Sequence, residues 1–142
     1  MVRPQQDMSN KKEEGMTIFI SHRLADSIEA ERLAHALRNA GRQVWLDIWE
    51  IRLGDSIIER MNKGLEESCY LLLCYSSEGT LASWINREWM SALAQQLNGH
   101  NIRLIPVKLT GGEPPSILSD IKYADLTKDW KSGVLEILRA TK

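Results

Sequence analysis

Met16-Thr17-Ile18-Phe19-Ile20-Ser21 is a short, almost unbroken run of β-branched and aromatic residues. A strand with water on one face alternates apolar and polar side chains, so a continuous run reads as a strand buried on both faces, the condition of a central strand in a parallel sheet. A second run, Cys69-Tyr70-Leu71-Leu72-Leu73-Cys74-Tyr75-Ser76, is the most apolar in the chain and ends in the turn-rich stretch Ser76-Ser77-Glu78-Gly79-Thr80. Between the two, Ile28, Leu33, Ala34, Ala36 and Leu37 recur at helical spacing from Leu24 to Ala40, with Gly41 where a C-cap belongs. Gln43 to Asp47 reads as another strand and Ile48 to Gly54 as a loop. Ser56 then caps a helix that extends to Glu67.

Beyond Thr80 the alternation continues. Ser83 opens a helix through Ala92, Leu93 and Leu97 that stops at Asn98-Gly99, and Ile102 to Val107 is a fourth strand. Thr110-Gly111-Gly112-Glu113-Pro114-Pro115 is loop-forming, Tyr123 to Leu126 reads as a short edge strand, and Lys128 to Ala140 as the closing helix. Strands that alternate with helices require right-handed crossovers. The expected fold is therefore α/β: a flavodoxin-like, doubly wound, parallel five-stranded sheet of order 2-1-3-4-5 with helices on both faces. The 142 residues suffice for one domain, expected over residues 16–142, after a polar and disordered tail at residues 1–15.

Composition narrows the function classes. Hydrophobic residues make up 43% and charged residues 26%, as in a soluble globular protein. Eighteen Lys and Arg against nineteen Asp and Glu give a net charge of -1, which offers no field to draw in nucleic acid. No apolar stretch approaches the roughly 20 residues that span a bilayer, and no secretory signal opens the chain, so neither membrane nor export is expected and the location reads as cytoplasmic. Cys69 and Cys74, five apart on one strand, point to opposite faces and cannot bridge, which fits a reducing compartment.

In a doubly wound sheet the ligand crevice lies beyond the carboxyl ends of the strands, where the winding reverses between strands one and three. The segments there are Ser21 to Arg23, Asp47 to Gly54 and Ser76 to Glu88. A glycine-rich dinucleotide fingerprint, a Walker loop, cysteine pairs at metal spacing and a His-Glu-x-x-His helix are all missing. A phosphorylated receiver would need an acidic cluster at the first strand, and the nearest acidic residues before it are Glu13 and Glu14 of the tail. Trp84 and Glu88 are i and i+4 on one helix, so a carboxylate and an aromatic plane project from the same face.

Ser21-His22-Arg23, the long segment from Asp47 to Ser56 and the spacing Trp84-x-x-x-Glu88 together resemble the TIR (Toll/interleukin-1 receptor) domain family, bacterial NAD+-cleaving members above all, from about Met16 to the final helix. That resemblance implies a catalytic glutamate at Glu88 and substrate binding by Phe19, Ser21, His22, Arg23, Asp47, Trp49 and Trp84. It also implies an assembly loop at Trp49, Ile51, Arg52, Leu53 and Gly54 that packs against a neighbouring TIR domain. Many family members carry an aromatic residue where His22 stands. The implied reaction takes NAD+ as substrate, with no cofactor or metal, and gives nicotinamide with ADP-ribose or a cyclic isomer, in bacterial defence signalling. The chemistry suits an anionic side chain, because breaking the nicotinamide glycosidic bond builds an oxocarbenium-like transition state.

Read singly, the same residues have plainer roles. Glu88 is a carboxylate favoured in the first turns of a helix, and Trp84 and Trp89 are core or groove fillers. Asp47 ends a strand, and Arg23 pairs with Asp26 or Glu29. His22, His35 and His100 lie in separate segments and are assigned to no metal. The competing functional class is a non-enzymatic TIR adaptor or virulence protein that acts through TIR–TIR binding. Adaptor-type members generally lack a working glutamate at the position Glu88 occupies, which tilts the reading toward an enzyme.

Overall fold

The runs that read as doubly buried strands are the ones that form the middle of the sheet. In the computed structural model, which describes residues 17–76, 102–113 and 120–141, β1 (Ile18–Ser21) lies between β2 (Val44–Leu46) and β3 (Tyr70–Tyr75). Two further strands, β4 (Arg103–Lys108) and β5 (Ala124–Asp125), continue outward from β3. Each pairing among the described residues is parallel, and the order is β2-β1-β3-β4-β5, as the strand and helix alternation requires. Ile20 stands opposite Leu46 on one side and Leu72 on the other.

Alternate residues of the strands feed two separate cores. Ile18, Ile20, Leu46, Leu72 and Cys74 face α1 (Ser27–Asn39), which contributes Leu33, Ala34 and Leu37, and α4 (Trp130–Ala140), which contributes Val134 and Ile137. Phe19, Trp45, Leu71, Leu73 and Leu104 face the other way and meet Leu65 of α3 (Ile57–Glu66). In the second core the Phe19 and Trp45 rings stack with centroids 4.3 Å apart and planes 7° from parallel. Trp45 lies directly on Gly64 of α3: a β-carbon there would sit 2.6 Å from the indole.

Local signals set most element ends. Gly41, at φ 93°, gives its N–H to Arg38 O at 2.9 Å and stops α1. Ser56 accepts from the Glu59 N–H at 3.3 Å and starts α3. The helix expected from Leu24 begins instead as a 3-10 turn, Leu24–Asp26, before α1 proper. The loop expected over Ile48 to Gly54 needs a larger correction, because Asp47–Glu50 is a single helical turn, α2, closed by the Ile51 N–H on Asp47 O at 2.9 Å. That turn swings Trp49 back from the end of β2 onto α1, where polar and aromatic partners hold it. The tail at Met1–Gly15 and the helix expected from Ser83 lie outside the described residues.

The outer side of the sheet is short. β5 pairs only with Val107 and Lys108, and Pro106 occupies the position of β4 opposite Leu73. Neither cysteine is in a disulfide among the described residues, and burial pushes the Cys74 thiol far up, so it stays neutral.

The Trp45–Gly64 contact is testable. Gly64→Ala forces a methyl into a ring that is already clamped by Phe19, so overpacking should cost about 1–3 kcal/mol despite alanine's better helix propensity. Urea unfolding checks this, and an unchanged or raised midpoint would contradict the packing described.

Candidate functional site at the carboxyl ends of β1 and β2

The register that sets Ile20 opposite Leu46 also brings the residues after them together. Ser21 ends β1, His22 and Arg23 follow it, and Asp47 begins α2 directly after β2. His22 is 2% exposed. Its Nε2 lies 3.1 Å from Asp47 Oδ1 and its Nδ1 lies 2.7 Å from the Arg23 carbonyl oxygen. Desolvation by burial opposes charging this ring, yet the Asp47 and Arg23 acceptors and the carboxylates of Asp47 and Asp26 outweigh it, and the His22 pKa is raised above its ordinary 6.5. The charged form is the one that satisfies both contacts, since a neutral imidazole turns a lone pair toward one of the two oxygens.

Arg23 gives its Nε to Asp26 Oδ2 at 3.2 Å, the plainer of the two roles read from the sequence. Asp26 is buried, and no other bond of the guanidinium is formed among the described residues, so its terminal nitrogens are unengaged there. Ser21 is 1% exposed, and its Oγ has no hydrogen-bond partner among the described residues. A buried hydroxyl without a partner is costly, and this one sits at the carboxyl end of β1.

Two of the residues expected at the substrate are engaged within the protein. The Phe19 ring is buried in the core against Trp45, so it supports the strand end from beneath. Trp49 is half-buried: its indole N–H reaches Glu31 Oε2 at 3.1 Å, the Arg38 guanidinium lies 4.8 Å from its ring centroid, and the His35 ring lies at 5.1 Å. Glu31, His35 and Arg38 share one face of α1 at i, i+4 and i+7, a spacing visible in the sequence but without a visible partner.

The rest of the assembly loop is braced. Arg52 N donates to Asp55 Oδ2 and Asp55 N to Arg52 O, both at 2.9 Å, around Gly54 at φ 92°. Arg60 of α3 reaches across with Nε and Nη2 to the Glu50 carbonyl at 3.2 and 3.1 Å. Ile51 packs on the Phe19 core, while Leu53 stands wholly exposed at the tip. Arg60 was not foreseen as part of this loop, because nothing in its helix pattern points to the turn ten residues before it. Glu88 and Trp84 lie outside the described residues.

A cavity of about 480 Å3 lies at the other end of the sheet, between the first half of β4, the start of β5 and α4, and it contains none of these residues. Among the described residues no group of three or more His, Cys, Asp or Glu is placed to hold a metal ion, and no helix is long and apolar enough to cross a membrane.

With this fold and strand-end cluster in view, comparison with known proteins is specific. A family model described as "TIR domain" matches residues 18–138, and the chain belongs to the TIR domain family. It is 35% identical over 98 residues, 67% of its length, to the 2' cyclic ADP-D-ribose synthase BtTIR of Bacteroides thetaiotaomicron, covering 34% of that protein. It is 35% identical over 91 residues, 63% of its length, to the NAD(+) hydrolase PdTIR of Paracoccus denitrificans, covering 30% of it. The chain thus spans about a third of the length of these curated relatives. Among solved structures, the TIR domain of the Toll-related receptor TRR-2 from Hydra magnipapillata superposes with a TM-score of 0.66 at 20% identity, over 87% of this chain and 94% of that one. A TIR-STING receptor from C. gigas gives 0.70 at 19%, over 88% and 39%. These two likenesses confirm the fold.

The His22–Asp47 pair has a pH signature. A raised folded-state pKa means that the stabilisation is complete below about 6.5 and is lost as pH rises through the raised midpoint. The stability difference between the wild type and Asp47→Asn should therefore be larger at pH 6 than at pH 9 in paired urea titrations. A difference that grows with pH would contradict the pairing.

Proposed function

We propose that this chain is an NAD+-cleaving TIR domain, which breaks the nicotinamide–ribose bond and releases nicotinamide with ADP-ribose or a cyclic isomer. The observation that carries the reading is the 35% identity, across two thirds of the chain, to a relative named as a 2' cyclic ADP-D-ribose synthase. The arrangement at the strand ends supports it. Ser21 Oγ and the Arg23 terminal nitrogens, without partners among the described residues, can donate to ribose or pyrophosphate oxygens, and the carboxylate of Asp47 can accept from a ribose hydroxyl.

In this reading Glu88 is the carboxylate that stabilises the ribosyl oxocarbenium as nicotinamide departs, and Trp84 offers its face to a planar ring. Whether water or a ribose hydroxyl then captures the cation decides between hydrolysis and cyclisation. Incubating the purified protein with NAD+ and separating the products by chromatography is the test. Wild type should release nicotinamide, and Glu88→Ala should lose the activity by a factor of a hundred or more, on the order of two or more decades for an essential electrostatic group. No turnover in either protein sinks the enzymatic reading.

A second observation favours self-association as part of the function. A fully exposed leucine on a turn held by five backbone and side-chain bonds is an apolar contact presented at little entropic cost. Leu53→Asp should leave the fold intact while abolishing any rise of specific activity with protein concentration. Identical concentration dependence in wild type and variant would remove Leu53 from the interface.

A further inference from the structure

Among the described residues the cluster least explained by substrate contact alone is His22. Its ring is buried and both nitrogens are occupied within the protein, so it has no free edge to offer a ligand. What it touches are two groups at the carboxyl ends of β1 and β2: the carboxylate of Asp47, the first residue after β2, and the backbone of Arg23, two residues after the end of β1.

We infer that His22 is a positioning residue that acts as a doubly protonated imidazolium, clasping Asp47 to the Arg23 backbone and so fixing the wall of the cleft formed by the ends of β1 and β2. The inference rests on the NAD+-cleaving reading for its functional consequence, but the clasp itself is a property of the fold. Three facts support it. The two acceptors lie on opposite nitrogens of one ring, at 2.7 and 3.1 Å, a geometry that only the cation satisfies in full. Asp47 is held 25 residues away in sequence by this contact, at the point where the chain turns from β2 into α2 and on into the loop. Two carboxylates act on the ring and both favour the cation: Asp47 at the start of α2 and Asp26 in the 3-10 turn, the latter shared with the Arg23 guanidinium. The Cys74 thiol from β3, in the same region, is kept neutral by burial.

Deprotonation of His22 replaces an N–H donor with a lone pair that faces an oxygen, either the Asp47 carboxylate or the Arg23 carbonyl. One arm of the clasp is then repulsive, and the wall loosens. A displacement of even about 1 Å in positioning groups can cost a hundredfold in rate, so the clasp should appear as a basic limb in the activity profile.

The experiment pairs two readouts on the full chain. Nitrogen NMR of the ring follows the protonation of His22 in the wild type and in Asp47→Asn, and the pH profile of NAD+ cleavage is measured for both. The expected result is that His22 carries both protons at pH 6.5, that Asp47→Asn moves its midpoint down, and that the basic limb of kcat/KM has the same midpoint and moves with it. His22→Gln, which is neutral at every pH, should lose that limb altogether. A His22 midpoint at or below 6.5, or one unmoved by Asp47→Asn, overturns the clasp. A basic limb that does not follow the ring overturns its role in positioning. If wild type shows no turnover at any pH, the proposed function fails, while the ring titration still decides the clasp.

Discussion

The structure depends on one strand being hidden from water on both faces and both edges. β1 has β2 on one side and β3 on the other, with Ile18 and Ile20 in one core and Phe19 in the other. Four residues so enclosed leave no freedom in register, because a slip of one position would exchange the two cores. The carboxyl end of β1 is thus a fixed point, and the candidate site hangs from it. Ser21 is the last paired residue, and His22 is held by the neighbour that the register supplies.

Beneath that end, the stacked Phe19 and Trp45 rings lie against Gly64, so β1, β2 and α3 are locked through a single flat contact. Above it, the chain leaves β2 through α2 and is caught from two sides: Trp49 by Glu31 and Arg38 on α1, and the Glu50 carbonyl by Arg60 on α3. The loop that carries Leu53 is therefore suspended between helices on opposite faces of the sheet.

How much of this could be read in the sequence follows from where the information lies. The strands β1 and β3 were legible because a continuous apolar run has one physical meaning, and Gly41 and Ser56 because positive φ and an N-cap oxygen are local requirements. The turn at Asp47–Glu50 was not, since what stabilises it is Trp49 docking on a helix that ends eight residues before it begins. Phe19 was assigned to the substrate through family resemblance, whereas alternation along the strand turns it into the core. The His22–Asp47 contact joins residues 25 apart, and only the strand register brings them together. The resemblance pointed to segments at the strand ends, and the packing decides which of their described side chains face inward.

The brevity of β5 has a consequence for the protein's solubility. With β5 paired only to Val107 and Lys108, the first half of β4 lacks a strand neighbour on its outer side among the described residues. Arg103 and Leu109 donate their N–H groups inward to Cys69 and Tyr75, so by the alternation of a parallel ladder the even-numbered residues of β4 point theirs outward. Pro106 is one of these and has no N–H to give. Leu104 keeps an outward N–H, but Pro106 offers only its carbonyl oxygen at the next outward position, and Arg103 adds a charge at the start of the same edge. Among the described residues, the edge beside a two-residue strand thus presents one donor fewer to any strand that would extend the sheet.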